Sequence, residues 1–241
     1  MFTQRAFAYF VMVLGLVGLS VPGNAADIRV GAVYSTAQSS SQSFLRFFNT
    51  GASTGTVSVT LQDQASGQTL GTWTSPSIPA GAEHQFSIAT VENGAGNFAK
   101  PNYYAATART SLSGYFQHVL FRPGDGTLTN LSTCSSGITT DLVNLSGVHS
   151  SLLSTGYASA VVVNNTGATA AAPTLGIYEA RDNTKVGVAT FVPVAPGAQA
   201  VLSIQAIESA AGFTPTGGML HYVIKLEGAF TGYLQHLLTN V

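Results

Sequence analysis

A seven-residue stretch occurs twice in this chain and constrains its fold more than any other feature. The copies are Gly-Tyr-Phe-Gln-His-Val-Leu at 114–120 and Gly-Tyr-Leu-Gln-His-Leu-Leu at 232–238, with five of seven positions identical. They lie 118 residues apart (232 − 114), which is about the length of one small domain. The chain is therefore predicted to contain one folding unit written twice, with this stretch as the last strand of each unit.

The similarity between the two units extends over most of their length. An offset of 116 aligns residues 31–92 with 147–208 without a gap, and 14 of these 62 positions are identical. Asn-Thr-Gly-Ala recurs at 49–52 and 165–168, and Gly81, Ser87, Ile88 and Glu92 have identical counterparts. Shared glycines between side chains that differ are typical of shared backbone turns.

Each unit has the pattern of a series of short strands separated by turns. We predict strands at 28–34, 44–48, 56–61, 68–74, 85–91, 103–108 and from 114, and in the second unit at 160–163, 173–178, 186–192, 200–204, 222–226 and 232–238. Seven short strands with turn signals every 8–15 residues favour an all-β fold of two tandem immunoglobulin-like β-sandwich domains. A closed barrel is the alternative architecture.

The N-terminus has the pattern of a secretory signal peptide over residues 1–25. Arg5 is the only charge before an apolar run at 6–19, and Gly23-Asn24-Ala25 fits a cleavage site. The run is shorter than the ~20 residues that a spanning helix needs. We therefore predict a signal peptide at 1–25, one domain at 26–121, a linker at 122–141 and a second domain at 142–241, with no membrane span after cleavage.

The composition gives no electrostatic reason to expect nucleic acid or an anionic membrane as a partner. Charged residues make up 8% of the chain and hydrophobic residues 45%, against about 25% charged in an average protein. Loss of Arg5 leaves 8 basic and 10 acidic residues, a formal charge of −2 (8 − 10). We therefore expect no nucleic-acid partner. Cys134 is the single cysteine, so an intramolecular disulfide is impossible, whereas an intermolecular one stays open.

Three of these features also carry a resemblance to a known class of protein. The Asn49-Thr50-Gly51 turn, the Ile-Pro-Ala-Gly corner at 78–81 and the closing Gly-Tyr strand are similar to tandem Ig-like or fibronectin-III-like repeats of bacterial secreted and surface proteins. The resemblance covers nearly all of residues 27–241. It implies an adhesive, scaffolding or spacer role and implies no catalytic residue.

The residues that usually carry chemistry show no site pattern. The five histidines are at 84, 118, 149, 221 and 236, with no two within four residues of each other, whereas a metal site needs three or four converging ligands. No acidic residue accompanies His118 and His236 in both units, and the chain has no Gly-x-Ser-x-Gly elbow and no phosphate loop. We therefore expect that the protein is not an enzyme and that it binds neither a cofactor nor a metal ion.

Two features could still have a binding role. Glu92 and Glu208 are the one matched carboxylate pair, for which a loop-capping role is the simplest interpretation and a calcium ligand the alternative. Five aromatic residues could form a sugar-stacking platform, namely Trp73, Tyr103, Tyr104, Tyr115 and Phe116. The matched tyrosines among them are more typical of core residues.

The repeated motif is interpreted as structural. Neighbouring strand residues face opposite sides, so Gln117 and His118 cannot converge on one substrate from the same face. We expect Tyr115 and Tyr233 to anchor their cores, at a cost on the order of 3–5 kcal/mol for Tyr115→Ala, and His118 and His236 to be half-buried. The proposed motif residues are Gly114, Tyr115, Gln117, His118, Gly232, Tyr233, Gln235 and His236.

These features favour an exported, non-enzymatic structural, adhesive or assembly module that is secreted, periplasmic or at the cell surface. A non-catalytic carbohydrate- or peptide-binding sandwich is the alternative. The expected partners are other protein chains through sheet edges, or glycans, because segments 44–48 and 160–163 carry almost none of the charge that protects an edge strand.

Overall fold

A computed structural model describes residues 26–131 and 144–240, which are called here the N-terminal half and the C-terminal half. Three features predicted from the sequence lie wholly or partly outside the described residues. They are the signal peptide at 1–25, Cys134, and the linker from residue 132 onward.

The described residues are mostly strand, which confirms the all-β fold class. The N-terminal half contains β1 (Ala26–Tyr34), β2 (Gln42–Asn49), β3 (Ser58–Asp63), β4 (Thr69–Thr74), β5 (Glu83–Ser87), α1 (Ile88–Ala95), β6 (Tyr103–Thr110), β7 (Gly114–Arg122) and β8 (Thr127–Asn130). The C-terminal half contains β9 (Asn144–His149), a short 3-10 helix (Ser151–Leu153), β10 (Tyr157–Asn165), β11 (Thr174–Glu179), β12 (Lys185–Thr190), β13 (Gln199–Ser203), α2 (Ile204–Ala210), β14 (His221–Glu227) and β15 (Gly232–Asn240).

These strands form four antiparallel sheets, two in each half. Sheet 1 has the order β5-β2-β7-β8 and sheet 2 the order β1-β6-β3-β4. In the C-terminal half, sheet 3 has the order β13-β10-β15 and sheet 4 the order β12-β11-β14-β9. Strands β1–β7 therefore recur in the same arrangement as β9–β15.

An apolar core lies between the two sheets of each half, which makes each half a sandwich. In the N-terminal half the fully buried residues come from both sheets and include Leu45, Phe47, Val59, Leu61 and Tyr104. In the C-terminal half they include Val161, Val163, Leu175, Ile177 and Ile224. Alternating side chains of each strand supply these residues, because successive strand residues face opposite sides of a sheet.

Strand β8 has no counterpart among the described residues of the C-terminal half. It pairs with the end of β7, from Val119–Asn130 to Arg122–Thr127, and becomes the fourth strand of sheet 1. These four residues fall within the stretch 122–141 for which the sequence predicted a linker. The glycine-rich turn before β8 made this short strand hard to recognise, since four residues carry little periodicity.

The two segments expected to be sheet edges lie at sheet centres instead. Segment 44–48 belongs to β2, which lies between β5 and β7, and segment 160–163 belongs to β10, which lies between β13 and β15. Their low charge is explained by this central position, because a strand paired on both sides needs no protection against further pairing.

One predicted strand in each half ends earlier than expected and continues as a helix. The strand predicted at 85–91 stops at Ser87, and α1 begins at Ile88 because the Ser87 hydroxyl caps it by accepting a hydrogen bond from the Thr90 amide (3.2 Å). Ser203 caps α2 in the same way through Ala206 (3.2 Å). Serine is a favoured N-cap residue, so the matched Ser-Ile pair marked two helix starts that were interpreted as strand.

The ungapped alignment is displaced by one residue before β2. Val33 pairs with Tyr104 and Val148 pairs with Tyr222, so β9 corresponds to β1 at an offset of 115 rather than 116. Both strands carry a bulge there, and its left-handed position is Ala32 (φ 52°) in β1 and Gly147 (φ 68°) in β9. From Val33 to Asn49 the chain advances 16 residues (49 − 33), and from Val148 to Asn165 it advances 17 (165 − 148), so the C-terminal half has one extra residue between these matched positions.

A glycine opens both copies of the repeated motif because a side chain has no room there. A Cβ on Gly114 would lie 2.0 Å from the carbonyl oxygen of Phe48, and a Cβ on Gly232 would lie 2.0 Å from that of Asn164. Contacts with backbone atoms on the neighbouring central strand cannot be relieved by rotating a side chain. The glycines are therefore required by strand packing.

Replacing Gly114 with alanine is expected to lower the free energy of unfolding by about 1–3 kcal/mol, the usual cost of overpacking. Urea denaturation followed by fluorescence of Trp73, the single tryptophan of the chain, would measure the loss. Gly124→Ala is the matched control, since a Cβ at Gly124 meets nothing within 4 Å. Equal stability of the two variants would contradict this explanation of the motif.

The Asn-Thr-Gly turn and the proline-containing corner are held together by one side chain. The Asn49 Nδ2 group donates to the carbonyl oxygens of Ile78 (3.2 Å) and Pro79 (2.9 Å), while its Oδ1 accepts from the Gly51 amide (3.1 Å). In the C-terminal half, Asn165 bonds Val194 and Gly167 in the same way (2.7 and 2.8 Å). Both asparagines are buried, so the two recurring sequence features form one structural unit.

The outer face of sheet 2 packs against the outer face of sheet 3, which joins the two halves. The Ala32 amide at the β1 bulge donates to Gln199 Oε1 (2.9 Å), and the Gln199 Nε2 group donates to the Tyr104 carbonyl (3.3 Å). A Cβ on Gly31 would lie within 3.0 Å of the side-chain oxygens of Gln199, Gln235 and Asn164. The β1 bulge thus fits between three buried amide side chains of the C-terminal half.

Candidate functional site

The histidines of the repeated motif each form a hydrogen bond with a serine on the central strand of the same sheet. His118 Nε2 lies 2.8 Å from Ser43 Oγ, and His236 Nε2 lies 2.9 Å from Ser159 Oγ. Each serine oxygen also accepts a backbone hydrogen bond from the first strand of its half, Tyr34 N–H in one case (2.9 Å) and His149 N–H in the other (3.0 Å). The two Ser–His pairs therefore tie both sheets of a sandwich together.

The Ser43–His118 pair has two of the groups of a hydrolase site, but neither group is accessible to solvent. Ser43 and His118 are both 0% exposed, so no substrate can reach the hydroxyl. Burial lowers the pKa of His118 to about 3, which keeps the imidazole neutral at physiological pH and makes it a poor base. Its chemistry is that of a neutral hydrogen-bonding side chain in the core.

The predictions about His118 and Tyr115 are wrong in detail. His118 is fully buried rather than half-buried, whereas His236 is partly buried as expected. Tyr115 is 44% exposed and stacks on Phe48 (4.5 Å between ring centroids), so it does not anchor the core. The alternation along β7 is as predicted, but the face that carries Phe116, His118 and Leu120 is the one turned inward.

Tyr233 is buried, but at a different place from the one predicted. It lies on the outer face of sheet 3, with 5% of its surface exposed, and its hydroxyl has no hydrogen-bond partner among the described residues. Burial raises its pKa. The matched core tyrosines are instead Tyr104 and Tyr222, both 0% exposed.

Each of these core tyrosines donates to the matched glutamate of its half. The Tyr104 hydroxyl lies 3.0 Å from Glu92 Oε1, and the Tyr222 hydroxyl lies 3.0 Å from Glu208 Oε1. The same carboxylates accept backbone hydrogen bonds from the connection between the first two strands of each half, from Thr36 (2.9 Å) and Ser151 (3.0 Å). These contacts are those of a loop cap held on a helix.

Glu92 has two further partners that Glu208 lacks in the described part of the chain. Thr36 Oγ1 donates to its Oε2 (2.5 Å), and Lys100 Nζ lies 2.7 Å from the same oxygen. Burial by itself would raise the pKa of Glu92, but the hydrogen bonds from Lys100, Thr36 and Tyr104 outweigh it and lower that pKa. Glu92 is therefore ionised and fully hydrogen-bonded in the folded protein.

Because the pKa of Glu92 is lower in the folded than in the unfolded chain, its contribution to stability is complete above its ordinary pKa of 4.5. We expect that contribution to be lost as the pH falls through the lowered value. Glu92→Gln should be less stable at pH 7 and lose less on acidification below pH 4.5. Urea denaturation of both proteins between pH 5 and pH 2.5 would measure this, and parallel curves would contradict it.

Within residues 26–131 and 144–240, no three histidine, cysteine, aspartate or glutamate side chains are placed to hold a metal ion. The structure does bring together two histidines that are far apart in sequence. His149 and His221 are paired across β9 and β14, with ring centroids 5.0 Å apart. A separation of 72 residues (221 − 149) leaves no local signal from which this contact could have been predicted.

The five aromatic residues considered as a sugar platform do not form one surface. Three are in the core: Trp73 is 8% exposed and packs edge-on against Phe86, Tyr104 is fully buried and Phe116 is 7% exposed. Tyr103 packs against Tyr34, its partner on the neighbouring strand β1 of sheet 2 (4.7 Å between ring centroids). Tyr115 is the one with a largely accessible ring, on the outer face of sheet 1.

A cavity of about 360 Å³ lies at the end of the N-terminal sandwich. It is bounded by the serine-rich connection between β1 and β2, by Phe44, and by the first residues of α1, including Ile88 and Ala89. At the equivalent place in the C-terminal half, Gln205 replaces Ala89 and its Nε2 group donates to Ser154 next to the 3-10 helix (2.7 Å). Sequence reasoning missed this cavity, although the serine run at 39–41 was a visible signal.

Comparison with protein-family models, with curated proteins and with solved structures gave no match to this chain. Among the described residues, no helix combines the length and apolar character required to cross a bilayer. The functional interpretation therefore depends on the residues and contacts of the chain itself.

Proposed function

We infer that the protein is an exported, non-enzymatic structural or assembly module of the cell envelope or the extracellular space. In this proposal it consists of two tandem immunoglobulin-like domains, at 26–121 and 142–241, after a cleaved signal peptide. Adhesion to a surface is one form that such a role takes.

One observation carries this proposal: the polar side chains that recur in both halves hold the scaffold together. The Ser–His pairs join the two sheets, the glutamates hold a loop on a helix and a core tyrosine, and the asparagines join a turn to a corner. A duplicated active site would keep reactive groups accessible in both copies, whereas Ser43, His118 and Glu92 are all buried. Duplicated scaffolding explains the pattern of identity better.

The surface supports the same role. Few charges are present, and several large apolar side chains are exposed, among them Leu128 (64%) and Val192 (79%). The low net charge gives no reason to expect nucleic acid or an anionic lipid surface.

Fractionation of the producing cells, with cross-linking before lysis, tests this proposal. We expect the protein in the periplasm, at the surface or in the medium, with a mature N-terminus near residue 26 and cross-links to envelope or extracellular proteins. Recovery from the cytoplasm with residues 1–25 still attached would contradict export. Recovery outside the cytoplasm as a protein that cross-links to nothing would contradict the assembly role.

The cavity at the β1–β2 connection favours a second candidate, a non-catalytic module that binds a short glycan or peptide. Its serine hydroxyls could hydrogen-bond a polar ligand, and Phe44 supplies an apolar wall. Ala89→Gln would place in this cavity the side chain that the C-terminal half has at the same position. Calorimetry or a glycan array with both proteins tests the candidate, which requires binding by the parent and loss of binding in the variant.

A further inference from the structure

The internal repeat makes the contact between the two halves informative about the outer faces of the molecule. The three strands of sheet 3 correspond to β5, β2 and β7 of sheet 1, and sheet 4 corresponds strand by strand to sheet 2. Inside the chain, the outer face of sheet 2 packs on the outer face of sheet 3. By the internal repeat, the outer face of sheet 4 therefore corresponds to that of sheet 2, and the outer face of sheet 1 corresponds to that of sheet 3. The faces of sheets 2 and 3 are the two that already pack together inside the chain.

On sheet 1, one row of side chains corresponds to the row of sheet 3 that receives the β1 bulge. Phe48 pairs with Glu83 and Tyr115, as Asn164 pairs with Gln199 and Tyr233. In sheet 3 this row is buried, with 4–5% of each residue exposed. In sheet 1, Tyr115 is 44% exposed and the Glu83 side chain 41% exposed.

The sheet 1 face carries exposed aromatic and aliphatic side chains beside an arginine. The Phe48 and Tyr115 rings are stacked with an interplanar angle of 16°, and the Arg46 guanidinium lies 5.9 Å from the Phe48 ring centroid. Leu128 on β8, which pairs with Phe121, adds a side chain that is 64% exposed. Aromatic residues with an arginine are the composition of the centre of protein interfaces.

On sheet 4, the β9 bulge corresponds to the β1 bulge that fits into sheet 3. Ser146 and Gly147 take the places of Gly31 and Ala32, and both are exposed. A Cβ on Gly147 would meet nothing within 4 Å, whereas Ala32 is 0% exposed beneath the amides of sheet 3. The bulge is thus formed in both halves but is covered in only one of them.

We propose that copies of this chain associate head to tail, with sheet 1 of one copy on the β9 bulge of the next. The contact repeats the packing of sheet 3 on the β1 bulge. The Glu83 carboxylate takes the place of Gln199 Oε1 and accepts from the Gly147 amide, and Tyr115 becomes covered as Tyr233 is. Ser146 replaces Gly31, and the Glu83 and Gln117 side chains take the places of Gln199 and Gln235. The Ser146 Cβ therefore requires those two side chains to lie slightly farther from the bulge, and the Ser146 hydroxyl donates to them.

An acidic side chain of one face and a basic side chain of the other are brought together at this contact. Inside the chain, the backbone N–H of Gln199 donates to the backbone carbonyl of Gln64 in the β3–β4 turn (2.8 Å). The equivalent turn of sheet 4 contains Ala180 and Arg181, and the Arg181 side chain is 71% exposed. Glu83, which pairs with Arg46 in its own copy (3.0 Å), therefore comes close to Arg181 of the next copy, which pairs there with Glu179 (3.2 Å). The contact joins two different faces. Each assembly therefore keeps a free sheet 1 face at one end and a free β9 bulge at the other, and it grows as an open filament rather than a closed dimer.

This inference rests on the proposed assembly role and has its own test. Sedimentation velocity and negative-stain electron microscopy of the purified protein should show species that lengthen as concentration rises. Tyr115→Arg and Ser146→Arg should each sediment as monomers alone, because each blocks one face. An equimolar mixture of the two variants should form dimers and nothing longer, since each retains the face that the other needs.

Charge reversal gives a second readout that does not depend on a new large side chain. Glu83→Arg and Arg181→Glu should each weaken association at least tenfold, and the double variant should recover most of the loss. Leu152→Arg, an exposed residue outside both faces, is the control and should associate as the parent does. Circular dichroism would verify that every variant is folded.

The inference would be overturned if the parent protein stayed a monomer at all concentrations. It would also be overturned if the parent formed a closed dimer while the mixture of Tyr115→Arg and Ser146→Arg formed no dimer. Cross-links from the chain to other envelope proteins alongside a strict monomer would leave the assembly role supported and remove only the head-to-tail contact. If the fractionation found the protein in the cytoplasm, that would count against the assembly role. The association measured with the purified protein would still stand.

Discussion

Acidification from pH 7.5 to pH 4 is expected to lower the free energy of unfolding by about 3 kcal/mol through His118 alone. Burial lowers the pKa of His118 to about 3 from an ordinary value of 6.5. The unfolded chain therefore takes up a proton near pH 6.5 that the folded chain does not. The contribution of His118 to the free energy of unfolding is complete above pH 6.5. Below that it falls by about 1.4 kcal/mol per pH unit until the pH approaches 3.

His118→Gln should remove this slope between pH 6.5 and pH 4.5, because glutamine does not titrate and can still hydrogen-bond Ser43. The measurement is urea denaturation at half-unit pH steps, followed by Trp73 fluorescence. His236→Gln is the matched control. Its pKa is also lowered, by burial and then by His149, but the side chain is only partly buried, so the slope it removes should be smaller. An unchanged slope in His118→Gln would show that the imidazole is reached by water.

Glu92→Ala is expected to lower the free energy of unfolding at pH 7 by about 3 kcal/mol, since it leaves the buried Tyr104 hydroxyl and the part-buried Thr36 donors without their acceptor. The Tyr104 hydroxyl is fully buried, and the Thr36 amide and hydroxyl also lose their partner. Lys100 is 39% exposed, so its ammonium regains water and adds little. The loss is measured by urea denaturation with Trp73 as the reporter.

The C-terminal half supplies the comparison for this variant. Glu208 accepts from the Ser151 amide and the Tyr222 hydroxyl, so Glu208→Ala should cost less than Glu92→Ala. Tyr104→Phe combined with Glu92→Ala should cost less than the sum of the single changes, because both remove the same hydrogen bond. A loss below about 0.5 kcal/mol for Glu92→Ala would be typical of a surface position and would contradict the role given to this carboxylate.

Strand positions were predictable wherever side chains alternate between a core and an outer face. The predicted segments at 44–48 and 160–163 lie within β2 and β10, and the repeated Gly-Tyr motif opens β7 and β15. Alternation is a local property, so each strand reveals it without knowledge of its neighbours. The helices were missed because α1 and α2 span only eight and seven residues, about two turns, too short for a helical period to stand out.

The direction in which a strand faces was not predictable from the strand itself. Both faces of β7 carry large side chains, so the sequence allowed either Tyr115 or Phe116 to point inward. The packing of β2 between β5 and β7, with His118 bonded to Ser43, places Phe116 in the core. Partners 75 residues apart, such as these two, leave no local pattern.

The sequence by itself determined the all-β class, the twofold internal repeat, the positions of most strands and the glycines that the backbone requires. These follow from properties of single residues and of spacings, namely side-chain alternation and the space that a Cβ would need. Only the tertiary structure decided which strands lie at an edge, which polar groups are buried together, and that the β1 bulge fits onto sheet 3 while the β9 bulge stays exposed. Those outcomes depend on pairing between distant segments, and the free energy of such pairing comes from burial that no short stretch of sequence contains.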